Sequence, residues 1–105
     1  MEIRLNTDSN FTASEAFLEK VTAELKKKLH RFSEYITTAE VFFGDENSGK
    51  SGTNDKRCTI EVRPRNLNPE AVTHFADTVD HAFNGAVDKI RNLLDSRIGK
   101  LQNKG

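Results

Sequence analysis

Tryptophan is absent from this 105-residue chain, cysteine and methionine occur once each, and proline occurs twice. A single cysteine, Cys58, excludes any internal disulfide, so the fold must rest on its apolar core. Cys58 lies in a strand-like run, where a buried, inert thiol is expected. No apolar run reaches the length of a membrane helix, and Met1-Glu2-Ile3-Arg4 opens no targeting segment. The expected location is therefore the cytoplasm. Net charge is also missing: sixteen basic residues cancel sixteen acidic ones. A neutral total argues against a generic polyanion binder, which carries excess positive charge. Local counts differ from the total. Lys20, Lys26, Lys27, Lys28 and Arg31 cluster in one segment, and Lys89, Arg91, Arg97, Lys100 and Lys104 in another.

At 35% hydrophobic and 30% charged residues, the composition fits one small globular domain. Residues 1–101 are expected to form it, with 102–105 as a frayed tail. The dominant pattern is Thr78–Leu101. There Val79, Ala82, Phe83, Ala86, Val87, Ile90, Leu93, Leu94, Ile98 and Leu101 recur mostly at steps of three and four, predicting a long helix with one broad buried face. Asp77 and Thr78 are N-cap candidates. Gly85 falls inside this helix on its polar side, where close helix packing offers no evident reason for it.

The remaining chain alternates between strand and helix signals. Ile3 and Leu5 predict a short first strand. Thr12 stands three residues before Glu15 as a capping box, with Phe11 as a hydrophobic staple. The helix it opens runs to about Phe32, with Phe17, Leu18, Val21, Leu25, Leu29 and Phe32 on its apolar face. Its Lys20, Lys27 and Arg31 share a stripe with Glu24, read as a solvated face or a face for an anionic partner. A strand is predicted from Thr38 to about Phe43, with Ala39, Val41 and Phe43 inward. Another runs over Lys56–Arg65, with Cys58, Ile60 and Val62 inward, and an edge strand covers Glu70–Ala76. The order β-α-β-β-β-α predicts an α+β two-layer sandwich: a four-stranded mixed sheet with both helices on one face. The other face stays open, carrying Arg4, Glu40, Phe42, Glu61 and Arg63.

Chemistry-bearing motifs are few. Gly44-Asp45-Glu46-Asn47-Ser48-Gly49-Lys50-Ser51 spells a P-loop letter for letter. A phosphate cradle needs a following helix to aim its amides, and here a strand follows, so a hairpin loop is expected. His30, His74, His81 and Cys58 show no metal-ligand spacing. No nucleophile has a base beside it. The residues therefore point to a binding protein without cofactor, metal, small-molecule substrate or catalysis. Two partners stay open on pattern alone: structured RNA, met through the basic helices, or a protein, met through Phe42 and the open sheet.

Several segments resemble the ribosome hibernation-promoting factors, also known as ribosome-associated translation inhibitors or sigma-54 modulation proteins. Leu5-Asn6-Thr7 with Phe11-Thr12-Ala13 is similar to the family's first strand and the start of its first helix. Val21-Thr22-Ala23-Glu24-Leu25-Lys26-Lys27-Lys28-Leu29-His30-Arg31-Phe32 resembles the end of that helix, and Ala39-Glu40-Val41-Phe42-Phe43 its second strand. Near the C-terminus, Ala82, Asp88, Lys89 and Ile90 match the family's second helix. The resemblance implies a short-form member that binds the small ribosomal subunit through ribosomal RNA. Such a protein occupies the channel for messenger and transfer RNA and inhibits translation in stationary phase or stress, acting as a monomer when unbound. It implies phosphate-neutralising roles for Lys26, Lys28 and Arg31 in the first helix and for Lys89, Arg91, Arg97 and Lys100 in the second. Arg4 and Arg63 on the open sheet are weaker candidates.

Overall fold

The computed structural model describes residues 1–8, 11–46 and 54–102, with side chains as far as Ile98. The elements are β1 (Glu2–Thr7), α1 (Glu15–Lys28), β2 (Ile36–Asp45), β3 (Lys56–Pro64), β4 (Glu70–Ala76) and α2 (Val79–Gln102), with a 3-10 turn over His30–Phe32 after α1. The sheet order is β1-β2-β3-β4. β1 runs parallel to β2, and the other pairs are antiparallel hairpins. This is the expected mixed sheet in a β-α-β-β-β-α chain. The proposed tail lies almost wholly outside the described residues.

Period-two alternation explains the sheet. Ala39, Val41 and Phe43 of β2 and Cys58, Ile60 and Val62 of β3 are buried on one face. Both helices cover that face. Val21 and Leu25 of α1 and Ala82, Phe83, Ala86, Val87, Ile90, Leu94 and Ile98 of α2 complete a single core. Phe43 anchors it, its ring centroid lying 5.7 Å from that of Phe11, 5.4 Å from Phe17 and 6.2 Å from Phe83.

Several boundaries differ from expectation for identifiable reasons. The α1 cap is Ser14, whose Oγ accepts from the Phe17 amide at 3.1 Å, not Thr12. The chain from Phe11 to Ser14 stays non-helical and seats Phe11 between Phe17 and Phe43. At the other end, regular α-helix stops at Lys28 and the tighter 3-10 turn carries Phe32 into the core. β2 starts at Ile36, with a register irregularity between Ile36 and Thr38. It extends to Asp45 because the hairpin pairing continues to Asp45–Lys56. Thr78 caps α2, accepting from the His81 amide at 3.1 Å.

Gly85 does have a packing reason. A Cβ there would come under 3.0 Å from the His74 ring atoms Cδ2, Nε2 and Cγ. His74 points inward from β4, so α2 crosses that strand closely at Gly85. Lys89, one turn on, donates from Nζ to the Thr73 carbonyl at 2.8 Å and ties the same crossing.

Candidate nucleic-acid interface

Chain direction sorts the charges into two ends. Lys20 lies 3.6 Å from Asp80, and Arg31 lies 2.7 Å from Asp95. These two ion pairs occur in the same sequence order on both segments, so α1 and α2 run in the same direction. Both start beside the β2–β3 hairpin and run toward the end of the sheet that holds the start of β2, the end of β3 and the start of β4. The Arg97–Glu70 pair at 3.0 Å places the later part of α2 at that same end.

The far end is basic. Lys26, Lys27 and Lys28 form the last turn of α1, all exposed and without an ion-pair partner among the described residues. Part of their role is structural, since cations complement the negative end of a helix dipole. Arg31 follows, 4.8 Å from the Phe32 ring centroid as well as paired with Asp95. Arg65, from the β3–β4 turn, donates to the Glu34 carbonyl at 3.1 Å and brings a further guanidinium to this end. Arg91 has no ion pair among the described residues. Its spacing from Asp80, Asn84 and Asp95 puts it on the strip of α2 that faces α1.

The other expected residues are scattered. Lys89 and Arg97 lie on the β4 flank of α2, held by Thr73 and Glu70. Arg4 pairs with Glu2 at 3.1 Å, and Arg63 with Glu61 at 3.6 Å, both on the opposite sheet face. The Lys100 side chain lies outside the described residues. Lys28, Arg31 and Arg91 are thus brought to one side, whereas Lys89, Arg4 and Arg63 are not. Lys27, placed by the sequence on a stripe that could face an anionic partner, was not among the expected RNA contacts, and neither was Arg65. The Lys26–Lys28 run was a visible signal for Lys27. Nothing local signalled Arg65, because its position depends on how two turns meet.

The hairpin end is acidic by contrast. Lys56 Nζ bridges Asp45 and Asp55, each at 3.1 Å, and Asp55 is buried. Those hydrogen bonds, Asp45 first, raise the lysine above its ordinary value. Arg57 joins Glu46 and Asp8. At the start of α2, Asp77 lies 2.8 Å from His81 Nδ1, and that hydrogen bond holds its carboxyl below the usual range. The described part of the P-loop-like stretch belongs to this end: Gly44 lies in β2 beneath the Arg57 guanidinium, and the chain enters β3 at Lys56. Its residues 47–51 lie outside the described set. Among the described residues no group of three or more His, Cys, Asp or Glu is placed to hold a metal. No described helix is long and apolar enough to cross a membrane.

A cleft of about 320 Å³ separates the helices near their starts, lined by Lys20, Glu24, Asp80 and His81 among others. Glu24, which shares a stripe of α1 with Lys20, makes no ion pair among the described residues. The cleft carries both charge signs and offers no convergent anion site.

A four-stranded mixed sheet backed by two parallel helices, with a basic far end, defines an α+β two-layer domain. The family described as Sigma 54 modulation protein / S30EA ribosomal protein matches residues 6–102. The chain belongs to this family. Among solved structures it is similar to the N-terminal domain of Protein Y from Thermus thermophilus, with TM-score 0.71 and 20% identity over 91% of this chain and 98% of that one. It is also similar to a ribosomal subunit interface protein from Coxiella burnetii, with TM-score 0.71 and 17% identity over 94% and 99%. At these identities the likeness establishes the fold. No curated protein sequence matches the chain.

Proposed function

We propose that this protein is a non-enzymatic, cytoplasmic factor that binds the small ribosomal subunit through ribosomal RNA. Bound there, it blocks the channel for messenger and transfer RNA and inhibits translation in stationary phase or stress. Family membership supports the ribosomal partner. The observation that carries the RNA contact is the basic far end, where Lys26, Lys27 and Lys28 stand exposed with no acidic partner among the described residues. Neutral net charge does not oppose this reading, because Asp8, Asp45, Glu46, Asp55 and Asp77 sit at the opposite, hairpin end. Lys28, Arg31 and Arg91 would neutralise phosphates on the side shared by the two helices, with Lys26 and Lys27 widening the patch. Lys89 and Arg97, on the separate β4 flank of α2, and Lys100 would make further phosphate contacts. Arg4 and Arg63, each paired with an acid on the open sheet, contribute least.

No bond is made or broken in this mechanism. The protein acts by occupying space as a monomer, and affinity comes from phosphate neutralisation with counterion release. The test is formation of initiation complexes on purified small subunits, read as retention of labelled initiator transfer RNA. Added protein should reduce retention, and prebound messenger should protect against it. Unchanged retention at saturating protein would refute channel blocking.

A further inference from the structure

The uncovered sheet face differs in kind from the basic end. Its two exposed aromatics are Phe42 on β2, 36% exposed, and Phe75 on β4, 47% exposed. The face carries three arginines, and each is already engaged. Arg4 is bound by Glu2, Arg63 by Glu61, and Arg57 by Asp8 and Glu46. The acids are less well met. Glu40 and Glu61 stand directly opposite each other across β2 and β3. Like charges in that relation destabilise a sheet. Glu40 accepts from the Asn6 amide at 2.8 Å and has no cation at ion-pair distance among the described residues. Its register partner Arg4 feels it only weakly beside Glu2. Glu40 lies two residues from Phe42 on the same face, so unmet negative charge adjoins exposed apolar surface.

We propose that this face is a second binding site, which takes a positively charged peptide segment of another protein, with Arg or Lys interspersed among apolar side chains. A cation would settle between Glu40 and Glu61 and relieve their repulsion. Apolar side chains would cover Phe42 and Phe75. Charge decides against RNA here: each arginine of the face is already paired with an acid, and Glu40, which has no cation among the described residues, would repel phosphate. The site is on the opposite side of the sheet from the helices, so it can be filled while the basic end is engaged. It stands or falls independently of the ribosomal reading.

The test uses fluorescence anisotropy with a labelled peptide of alternating arginine and leucine, and a labelled oligouridine as second probe. Glu40→Lys and Phe42→Ser alter exposed or half-exposed side chains and should leave the fold intact. Each should weaken peptide binding by at least about tenfold, the size of an anchor loss. Asp88→Lys, on the solvent side of α2, should leave it unchanged. Lys28→Glu should not weaken it either. Peptide binding that Asp88→Lys reduces as much as Glu40→Lys would mean diffuse attraction and overturn the proposal. Absence of peptide binding would overturn it. Oligouridine binding lost in Phe42→Ser, or self-association lost in that variant, would also overturn it by giving the face a different occupant.

Discussion

Replacing Gly85 by alanine is a sensitive probe of how α2 sits on the sheet. In a free helix the change gains about 1 kcal/mol from propensity. Here the new methyl would come under 3.0 Å from the His74 ring. Overpacking of this kind costs about 1–3 kcal/mol. His74 lies half-buried between β4 and α2. Moving the helix away instead would strain the Lys89–Thr73 bond one turn further on. The net expectation is destabilisation by about 0–2 kcal/mol. The sharper prediction is a change of sign. In a His74→Ala background the obstacle is gone, and Gly85→Ala should stabilise by about 1 kcal/mol. Urea unfolding of the four proteins in the cycle, with the slope held constant, would give a coupling of about 1–3 kcal/mol. Equal stabilisation by Gly85→Ala in both backgrounds would refute the close crossing.

Two other consequences are simpler to check. Ser14→Ala should cost about 1 kcal/mol in thermal or urea unfolding, as for loss of a helix cap, whereas Thr12→Ala should cost much less. Equal losses would return the cap to Thr12. Burial pushes the Cys58 thiol from 9.0 up to about 12, so the native protein should react slowly with thiol reagents. The folded value lies above the unfolded one, so the associated stability is intact below pH 9.0 and declines as pH rises toward 12. Cys58→Ala should flatten that decline, and an unchanged slope would contradict the assignment.

The fold was legible because its signals were local and periodic. Alternation in β2 and β3 and the three-four spacing of α2 each named their buried face, and these faces then had to meet. What escaped was decided by contacts across the chain. Gly85 looked unexplained because its reason, His74, lies on another element. Thr12 spelled the better capping box, yet Phe11 had to reach Phe43, which moved the cap to Ser14. The basic residues could be counted but not placed. Parallel helices collect Lys26–Lys28, Arg31 and Arg91 toward one end and put Lys89 on a separate flank. Neutral composition concealed that separation because it sums over both ends.

The central claim is that the basic far end holds the protein on the small subunit. Co-sedimentation with vacant small subunits at low and moderate salt, for the wild type and for the double reversal Lys28→Glu, Lys89→Glu, tests it most directly. Saturable binding that weakens with salt and with the reversal is predicted, with the single Lys28→Glu change accounting for more of the loss than Lys89→Glu. No binding to intact subunits at low salt, or saturable binding untouched by salt and by the reversal, would contradict the account.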